Sequence, residues 1–241
     1  MDLPEGSGLD CTAAKLERCM YRLKQSPREW YYRLVDYLGP FGFAITAWDP
    51  CVLVHESGDL FSAIYVDDIT LFGATGELKE QTINVLKTEF KVNDMGELNW
   101  LLGIQITFTD DGITLSQTTY IHKILKRCSM QDCKPVSTPI DSNHQLKAIE
   151  DDYKRTDATS YQHIIGSLKY LVTGTRPDLA YTITHLSQFN SCPSTKHLAS
   201  PKRVLRYLQG TKDRHLLYPW NNQLKMTAYT DASYGNCLDT R

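Results

Sequence analysis

Two adjacent carboxylates, Asp67 and Asp68, stand between two runs of apolar, β-branched and aromatic residues. These flanking runs, residues 61–66 and 69–73, are typical of two strands of a hairpin that carries the acids at its tip. Because neighbouring carboxylates repel each other, such a pair favours a compensating cation. Carboxylate oxygens suit Mg²⁺, so the pair indicates a candidate metal site. The alternative is a polar turn that has no function beyond joining the strands.

A helix is predicted between the N-terminal residues and this hairpin. Ser26 can cap it, Pro27 suits its first position, and Glu29 can complete a capping box. Gly39-Pro40 predicts its end. Its apolar face consists of Trp30, Tyr31, Leu34 and Leu38. Lys24 and Arg28 near its start can meet phosphates, or can simply be solvated surface charges.

The remaining elements alternate between short strands and helices. A second hairpin is predicted to turn at Asp110-Asp111-Gly112, where the acids serve the turn itself. The other predicted elements are strands near residues 42–45 and 51–55, helices at 77–90, 120–127, 161–171 and 177–189, a helix starting at Ser200-Pro201, and a strand over 224–231.

Composition sets broad limits on the function. The chain has 241 residues and a net charge of −2, so any nucleic-acid contact must come from a local basic face. Such a face is predicted on the last helix, at Lys202, Arg203 and Arg206, although a solvated helix face is an equal alternative. The seven scattered cysteines, and the lack of a signal peptide, predict an intracellular protein, cytoplasmic or nuclear and not secreted.

Several stretches in a fixed order resemble the polymerase polyprotein of copia-type LTR retrotransposons. The resemblance covers nearly the whole chain, and its ordered motifs make it specific. These stretches are residues 23–31 (LKQSPREWY), 65–68 (YVDD), 102–106 (LGIQI), 166–171 (GSLKYL), 175–178 (TRPD), 202–208 (KRVLRYL) and 229–232 (YTDA).

The resemblance implies an α+β fold, namely a truncated palm and thumb of a reverse transcriptase, a helical connection, and the first strand of a ribonuclease H domain. The implied boundaries are residues 1–134 for the partial palm and thumb, 135–157 for a linker, 158–222 for the connection, and 223–241 for the incomplete ribonuclease H-like start. Lacking its first palm strands, the sheet would expose an edge that can pair with another chain.

The resemblance also implies roles for individual residues. Asp67 and Asp68 would be catalytic carboxylates that hold Mg²⁺ or Mn²⁺, with Asp67 the more direct ligand. The implied partners are an RNA or DNA template-primer and deoxynucleoside triphosphates. The other implied site residues are Tyr21, Lys24 and Gln25 at the nucleotide, Leu102 and Gly103 at the primer end, and Asp231 as a metal ligand of ribonuclease H.

The chain departs from the family pattern in its acidic residues. The palm of the family has a third carboxylate on an upstream strand, and no such stretch precedes residue 26 here. Ribonuclease H needs several acids, and only Asp231 is present. We therefore expect a fragment truncated at both ends, whose ancestral reaction is templated DNA synthesis but which is inactive by itself. The alternatives are a non-catalytic nucleic-acid-binding remnant and, less favoured, an unrelated metal-dependent hydrolase that uses the same two acids.

A second departure gives a testable prediction. Arg22 occupies a position where the family has glycine, which allows the backbone to approach the nucleotide closely. We expect that Arg22→Gly alone does not produce polymerase activity in a primer-extension assay, because the missing third carboxylate is the larger defect. Templated nucleotide incorporation by this single variant would contradict the expectation.

Overall fold

The computed structural model describes residues 19–20, 22–73, 76–141, 146, 157–220 and 227–230. The chain forms two compact units, Met1–Gly96 and Glu97–Arg241. Each described unit combines an antiparallel sheet with helices, which confirms the α+β class. Among the described residues, no helix has the length and apolar character needed to cross a membrane.

The first unit is a four-stranded sheet with two helices. Its strands pair in the order β1-β2-β3-β4, so each strand is hydrogen-bonded to its neighbour in the sequence. The elements are α1 (Ser26–Leu38), β1 (Phe43–Ile45), β2 (Val52–His55), β3 (Leu60–Tyr65), β4 (Asp68–Gly73) and α2 (Glu77–Glu89). The buried core consists of Leu34, Leu38, Phe43, Leu53, Leu60, Ile64, Leu86 and Phe90.

Helix α1 confirms the predicted extent but not the predicted cap. Ser26 is the first helical residue, and Gln25 occupies the N-cap position without a side-chain hydrogen bond. The Ser26 hydroxyl instead donates to the carbonyl oxygen of Met20 at 2.6 Å. The turn before the helix brings that carbonyl within reach, so the serine stabilises the approach to the helix and forms no capping box.

The second unit places a four-stranded sheet, in the order β5-β6-β7-β8, beside four helices. Its core lies among the helices and includes fully buried Tyr161, Leu168, Leu186 and Leu208. The elements are β5 (Trp100–Leu101), β6 (Ile104–Thr109), β7 (Gly112–Ser116), α3 (Thr118–Arg127), α4 (Ala158–Gly174), α5 (Ala180–Ser187), α6 (Thr195–Gly210) and β8 (Leu216–Pro219).

Two sequence-based predictions are wrong in this unit. Helix α6 does not start at Ser200-Pro201 but begins at Thr195 and passes through Pro201. The reason is a capping box between Ser194 and His197, which starts the helix upstream of the proline. The predicted strand over 224–231 is absent from residues 227–230, its described part.

A buried arginine joins α4 to α6 in the second unit. Arg176 is 1 % exposed and binds the Asp178 carboxylate with two nitrogens, at 2.9 and 2.8 Å. It also donates to the backbone and side-chain oxygens of Thr211. The Tyr207 hydroxyl donates to Asp178 at 2.8 Å, and its ring packs against the Arg176 guanidinium. The buried charge is therefore paired with a carboxylate and donates four hydrogen bonds, which offset the cost of burying an ion.

The Asp178 carboxylate makes the stability of this unit sensitive to acid. Burial of the group opposes its ionisation, but hydrogen bonds from Arg176 and Tyr207, with the charge of Arg176, outweigh that effect and lower the pKa of Asp178. Since the pKa in the folded chain is below that in the unfolded chain, ionised Asp178 contributes stability above the unfolded value of about 4. This contribution is lost as the pH falls through the folded value.

We expect Asp178→Asn to lower the free energy of unfolding by about 2 kcal/mol near neutral pH, because two charge-assisted hydrogen bonds are weakened. The difference from wild type should shrink toward about pH 3. Urea unfolding, followed by far-UV circular dichroism at both pH values, measures this difference in the free energy of unfolding. The exposed Asp213 supplies the control Asp213→Asn, which should change little at either pH. A loss for Asp178→Asn that is equal at the two pH values would contradict the assignment.

A buried hydroxyl in the first unit gives a prediction of the opposite sign. Ser62 on β3 is fully buried, and its hydroxyl oxygen has no hydrogen-bond partner among the described residues. We expect Ser62→Ala to raise the free energy of unfolding by about 1 kcal/mol, because an unsatisfied buried hydroxyl is costly. In the same core, Thr82 donates to the carbonyl of Leu78 at 2.8 Å, so Thr82→Val should destabilise instead. Equal effects of the two changes in urea unfolding would show that the Ser62 hydroxyl is satisfied.

Candidate active site

The acidic pair lies at the tip of the β3–β4 hairpin, as the sequence predicts. Tyr65 pairs with Asp68 across the two strands, so Val66 and Asp67 form a two-residue loop. Val66 has φ of +52°, whereas Asp67 is not among the described residues with positive φ. This is the φ pattern of a type II′ turn, whose twist matches that of the flanking strands. A β-branched residue rarely adopts this conformation, so the loop is strained at Val66.

Both carboxylates are available to a ligand. Asp67 and Asp68 are exposed, and neither side chain has a hydrogen-bond or ion-pair partner among the described residues. Side chains alternate along β4, so Asp68 lies on the opposite face from Ile69, which packs against the core. Two hard oxygen donors at an open turn fit Mg²⁺ or Mn²⁺ in type. They are too few for strong binding, since no cluster of three potential metal ligands occurs within the described ranges.

The indole of Trp30 holds this turn against α1. Its Nε1 donates to the carbonyl oxygen of Val66 at 2.7 Å. The ring packs edge-on against Phe90, with the ring centroids 5.0 Å apart. The sequence predicts Trp30 only on the apolar face of the helix. A half-buried tryptophan normally requires a hydrogen-bond partner for its N–H. This rule predicts from the sequence that Trp30 has a partner, but it does not identify which residue that partner is.

The predicted nucleotide-binding residues lie at the start of α1. Lys24 and Gln25 are exposed there, and Gln25 is the N-cap residue. Tyr21 lies outside the described residues. Arg22 has φ of +73°, in the left-handed region that glycine favours. The backbone at this position thus has a glycine-like conformation although it carries an arginine side chain.

Leu102 and Gly103, predicted at the primer end, form the β5–β6 turn in the second unit. Both have positive φ, +49° and +77°, as a type I′ hairpin requires. The Tyr170 hydroxyl on α4 donates to the Leu102 carbonyl oxygen. A Cβ on Gly103 would lie 2.8 Å from that hydroxyl, so glycine permits the close approach. A side chain on α4 therefore supports the turn, which the sequence did not reveal.

The predicted basic face on α6 is partly engaged within the chain. Lys202 is exposed, whereas Arg203 donates to the Thr138 hydroxyl at 3.0 Å and lies 3.7 Å from an Asp141 carboxylate oxygen. Arg206 donates to the carbonyl of Lys134 at 2.7 Å. A phosphate contact by either arginine would compete with these internal bonds, and their role at nucleic acid stays a prediction. Asp231, the predicted ribonuclease H ligand, lies outside the described residues.

Another basic surface lies on α3 and α4. Neither helix contains an Asp or Glu, and the two helices border an open cavity of about 360 Å³. Arg127 of α3 donates to the Ser167 hydroxyl of α4 and so joins them at this cavity. The exposed basic side chains of these helices are Lys123, Lys126, Arg127 and Lys169.

Comparisons with known proteins identify the family of the chain. Residues 1–142 match the family model described as reverse transcriptase (RNA-dependent DNA polymerase). The chain is 39 % identical over 227 residues to the retrovirus-related Pol polyprotein from transposon RE1 of Arabidopsis thaliana, covering 93 % of this chain and 15 % of that protein. It is 31 % identical to the corresponding polyprotein from transposon TNT 1-94 of Nicotiana tabacum, covering all of this chain and 19 % of that protein.

A shorter relative is matched along most of its length. The chain is 32 % identical to a putative transposon Ty5-1 protein of Saccharomyces cerevisiae, covering 91 % of this chain and 72 % of that protein. No solved structure matches the chain significantly. The chain thus spans less than a fifth of the plant polyproteins but is similar to them along almost all of its own length. From the family match and these relatives, the chain belongs to the reverse transcriptases of copia-type retrotransposon Pol polyproteins.

Proposed function

We propose that this chain is the catalytic-hairpin portion of a retrotransposon reverse transcriptase, whose ancestral reaction is RNA- or DNA-templated DNA synthesis. The observation that carries this proposal is the exposed Asp67-Asp68 pair at a strained hairpin tip, without internal partners among the described residues. The turn acids Asp110 and Asp111 are exposed as well, so the strained φ at Val66 and the family motif at residues 65–68 distinguish the Asp67-Asp68 pair. Its substrates would be a template-primer and deoxynucleoside triphosphates.

Different residues of the first unit would bind the metal ion and the incoming nucleotide. Asp67 and Asp68 would hold the divalent ion, with Asp67 as the more direct ligand because consecutive side chains rarely face one ion. When bound, such ions activate the primer 3′-hydroxyl and stabilise the leaving pyrophosphate. Exposed Lys24 and Gln25 at the start of α1 would contact the incoming nucleotide, where the helix N-terminus favours phosphate. Tyr21 is assigned to the same role by the family resemblance.

We further propose that the chain is inactive by itself. Two carboxylates from one turn bind Mg²⁺ weakly, because the ion needs several converging oxygens. Among the described residues β4 pairs only with β3, so its other edge can accept a strand from another polypeptide. A strand in that position would lie beside Asp68, which is where a third carboxylate would complete the site.

The finer organisation follows the family resemblance. Residues 1–134 would form the partial palm and thumb, with the Leu102-Gly103 turn at the primer end. The segment 158–222 would connect them to the ribonuclease H-like start at 223–241, and Asp231 would be a metal ligand of that domain. Support for these boundaries comes from the order of the motifs in the chain.

The test is primer extension on an RNA template with Mg²⁺ or Mn²⁺. We expect no extension by the 241-residue chain and extension by a chimera that carries, before residue 1, the segment preceding the matched region in the transposon RE1 polyprotein. Asp67→Asn in the chimera should abolish extension, because it removes the proposed metal ligand. The turn acid Asp110 provides the matched control, since Asp110→Asn should leave extension unchanged.

Each result bears on a separate part of the proposal. Extension by the chain alone, lost in Asp67→Asn, would contradict the inactivity and retain the polymerase site. Extension by the chimera that survives Asp67→Asn would contradict the assignment of the metal site.

A second candidate function is nucleic-acid binding without catalysis, and the exposed basic side chains of α3 and α4, two helices that contain no Asp or Glu, favour it. Binding through phosphates weakens steeply as salt rises, because counterions are released on association. A salt titration of duplex binding, with Lys123→Gln and Lys126→Gln combined, measures this activity. We expect weaker binding and a lower salt dependence in the double variant. Unchanged binding would exclude α3, and would then favour Lys202, Arg203 and Arg206 on α6.

A further inference from the structure

Within the described part of the chain, a single side-chain hydrogen bond reaches the loop of the acidic hairpin. Its donor is Trp30. Val66 and Asp67 are exposed at the tip, and the ladder between β3 and β4 ends at the Tyr65–Asp68 pair. Beyond that pair the loop has no strand to hold it. The indole N–H of Trp30 reaches it from a different element, with Nε1 2.7 Å from the Val66 carbonyl oxygen.

The hydrogen bond from Trp30 is placed so that it can hold the unfavourable backbone conformation of Val66. The φ of +52° at Val66 is unfavourable for a β-branched residue, so the free loop would have other conformations close in energy. The orientation of the Val66 carbonyl depends on the peptide plane between Val66 and Asp67. A donor fixed on that oxygen therefore fixes the plane that carries the Asp67 backbone nitrogen, and with it the starting direction of the Asp67 side chain.

The donor itself is rigidly placed. The Trp30 ring packs edge-on against Phe90, which is 8 % exposed and belongs to the core of the first unit. One turn further along α1, Leu34 is fully buried. A half-buried indole on an anchored helix loses little conformational freedom when it forms the bond, unlike a long flexible donor such as lysine.

We propose that Trp30 is a positioning residue that holds the Val66-Asp67 loop in its strained conformation and so presents Asp67 to the divalent ion. The proposal rests on the proposed function for its consequence at the metal, but the hydrogen bond and its effect on the loop are independent of it. Trp30 touches no reacting atom. Its N–H acts through the backbone of the turn, whereas its ring serves the core.

The first test separates the N–H from the ring. Trp30→Phe removes the donor and keeps an aromatic side chain, and replacement of Trp30 by 3-benzothienylalanine removes only the N–H. ¹⁵N relaxation of the Asp67 and Asp68 amides reports the order of the loop directly. We expect both changes to lower the order parameters of these two amides, while the amides of β2 stay as in wild type. Trp100→Phe, which changes a half-exposed tryptophan of the second unit, is the matched control and should leave the loop unchanged.

The wild-type indole provides an additional measurement. Its N–H signal should exchange with solvent more slowly than that of Trp48, a residue that is 86 % exposed. Equal exchange of the two indoles, or unchanged order parameters in the benzothienyl variant, would overturn the proposal. Loss of order in Trp30→Phe alone would show that the ring supports the loop and the hydrogen bond does not, which also overturns it.

The second test measures the consequence at the metal. Mn²⁺ is titrated into the full chain and the free ion is followed by electron paramagnetic resonance, with Asp67→Asn defining the background. We expect the benzothienyl variant to bind Mn²⁺ about fivefold more weakly than wild type, the effect of one lost hydrogen bond on the preorganisation of the ligand. Unchanged affinity together with reduced loop order would contradict the role at the metal.

The two tests separate this inference from the proposed function. If wild type and Asp67→Asn bind Mn²⁺ equally, the proposed metal site fails, and the relaxation data still decide whether Trp30 holds the loop. If the relaxation data show no change while Asp67→Asn abolishes specific Mn²⁺ binding, Trp30 is only a core residue and the metal site stands.

Discussion

The antiparallel register of β3 and β4 is the constraint on which the site depends. Pairing of Tyr65 with Asp68 leaves only two residues for the turn, and a two-residue turn with the correct twist requires positive φ at its first position. Val66 occupies that position at a conformational cost. Burial of Leu60 and Ile64 on the core face fixes the register, because a slip by one residue would move both side chains to the opposite face of the sheet. The core thus holds the strained loop that carries the acids.

A similar arrangement recurs at the hairpin of β5 and β6. Leu102 is also a non-glycine residue at positive φ, and it too has a carbonyl oxygen that accepts from an aromatic side chain on a helix, here Tyr170. In both hairpins the strand pairing determines the turn, and a side chain from a helix of the same unit stabilises it. The two turns include the residues that the family resemblance assigns to the metal and to the primer end.

Much of this fold follows from local patterns in the sequence. Alternating apolar runs around Asp67-Asp68 and around Asp110-Asp111 predict both hairpins, and the apolar spacing from Trp30 to Leu38 predicts α1. These patterns succeed because hairpins and amphipathic helices depend on neighbours within a few residues. The sequence mispredicts the start of α6 because Ser200-Pro201 resembles a helix start, whereas the capping residues Ser194 and His197 lie upstream. Proline inside a helix is costly, and only the tertiary core that buries Pro201 makes it acceptable.

The long-range contacts of the site could not be predicted in this way. Trp30 and Val66 are 36 residues apart, and Tyr170 and Leu102 are 68 apart. The sequence shows that an indole or a phenol needs a partner, but the partner is a backbone carbonyl, which every residue possesses. The family resemblance supplied the role of the acidic pair, since an Asp-Asp turn has several physical explanations and the order of the surrounding motifs distinguishes among them.

The strand order has a consequence for the synthesis of the protein. In the second sheet β8 pairs with β7 across four intervening helices, but in the sheet of the first unit each strand pairs with the strand next to it in the chain, so the β contacts there close short loops. Folds built from such local contacts have low contact order and form rapidly, without waiting for distant segments. During synthesis, the first sheet can therefore assemble while translation of the second unit continues. The acidic hairpin would therefore be in place early, before the helices of the second unit are complete.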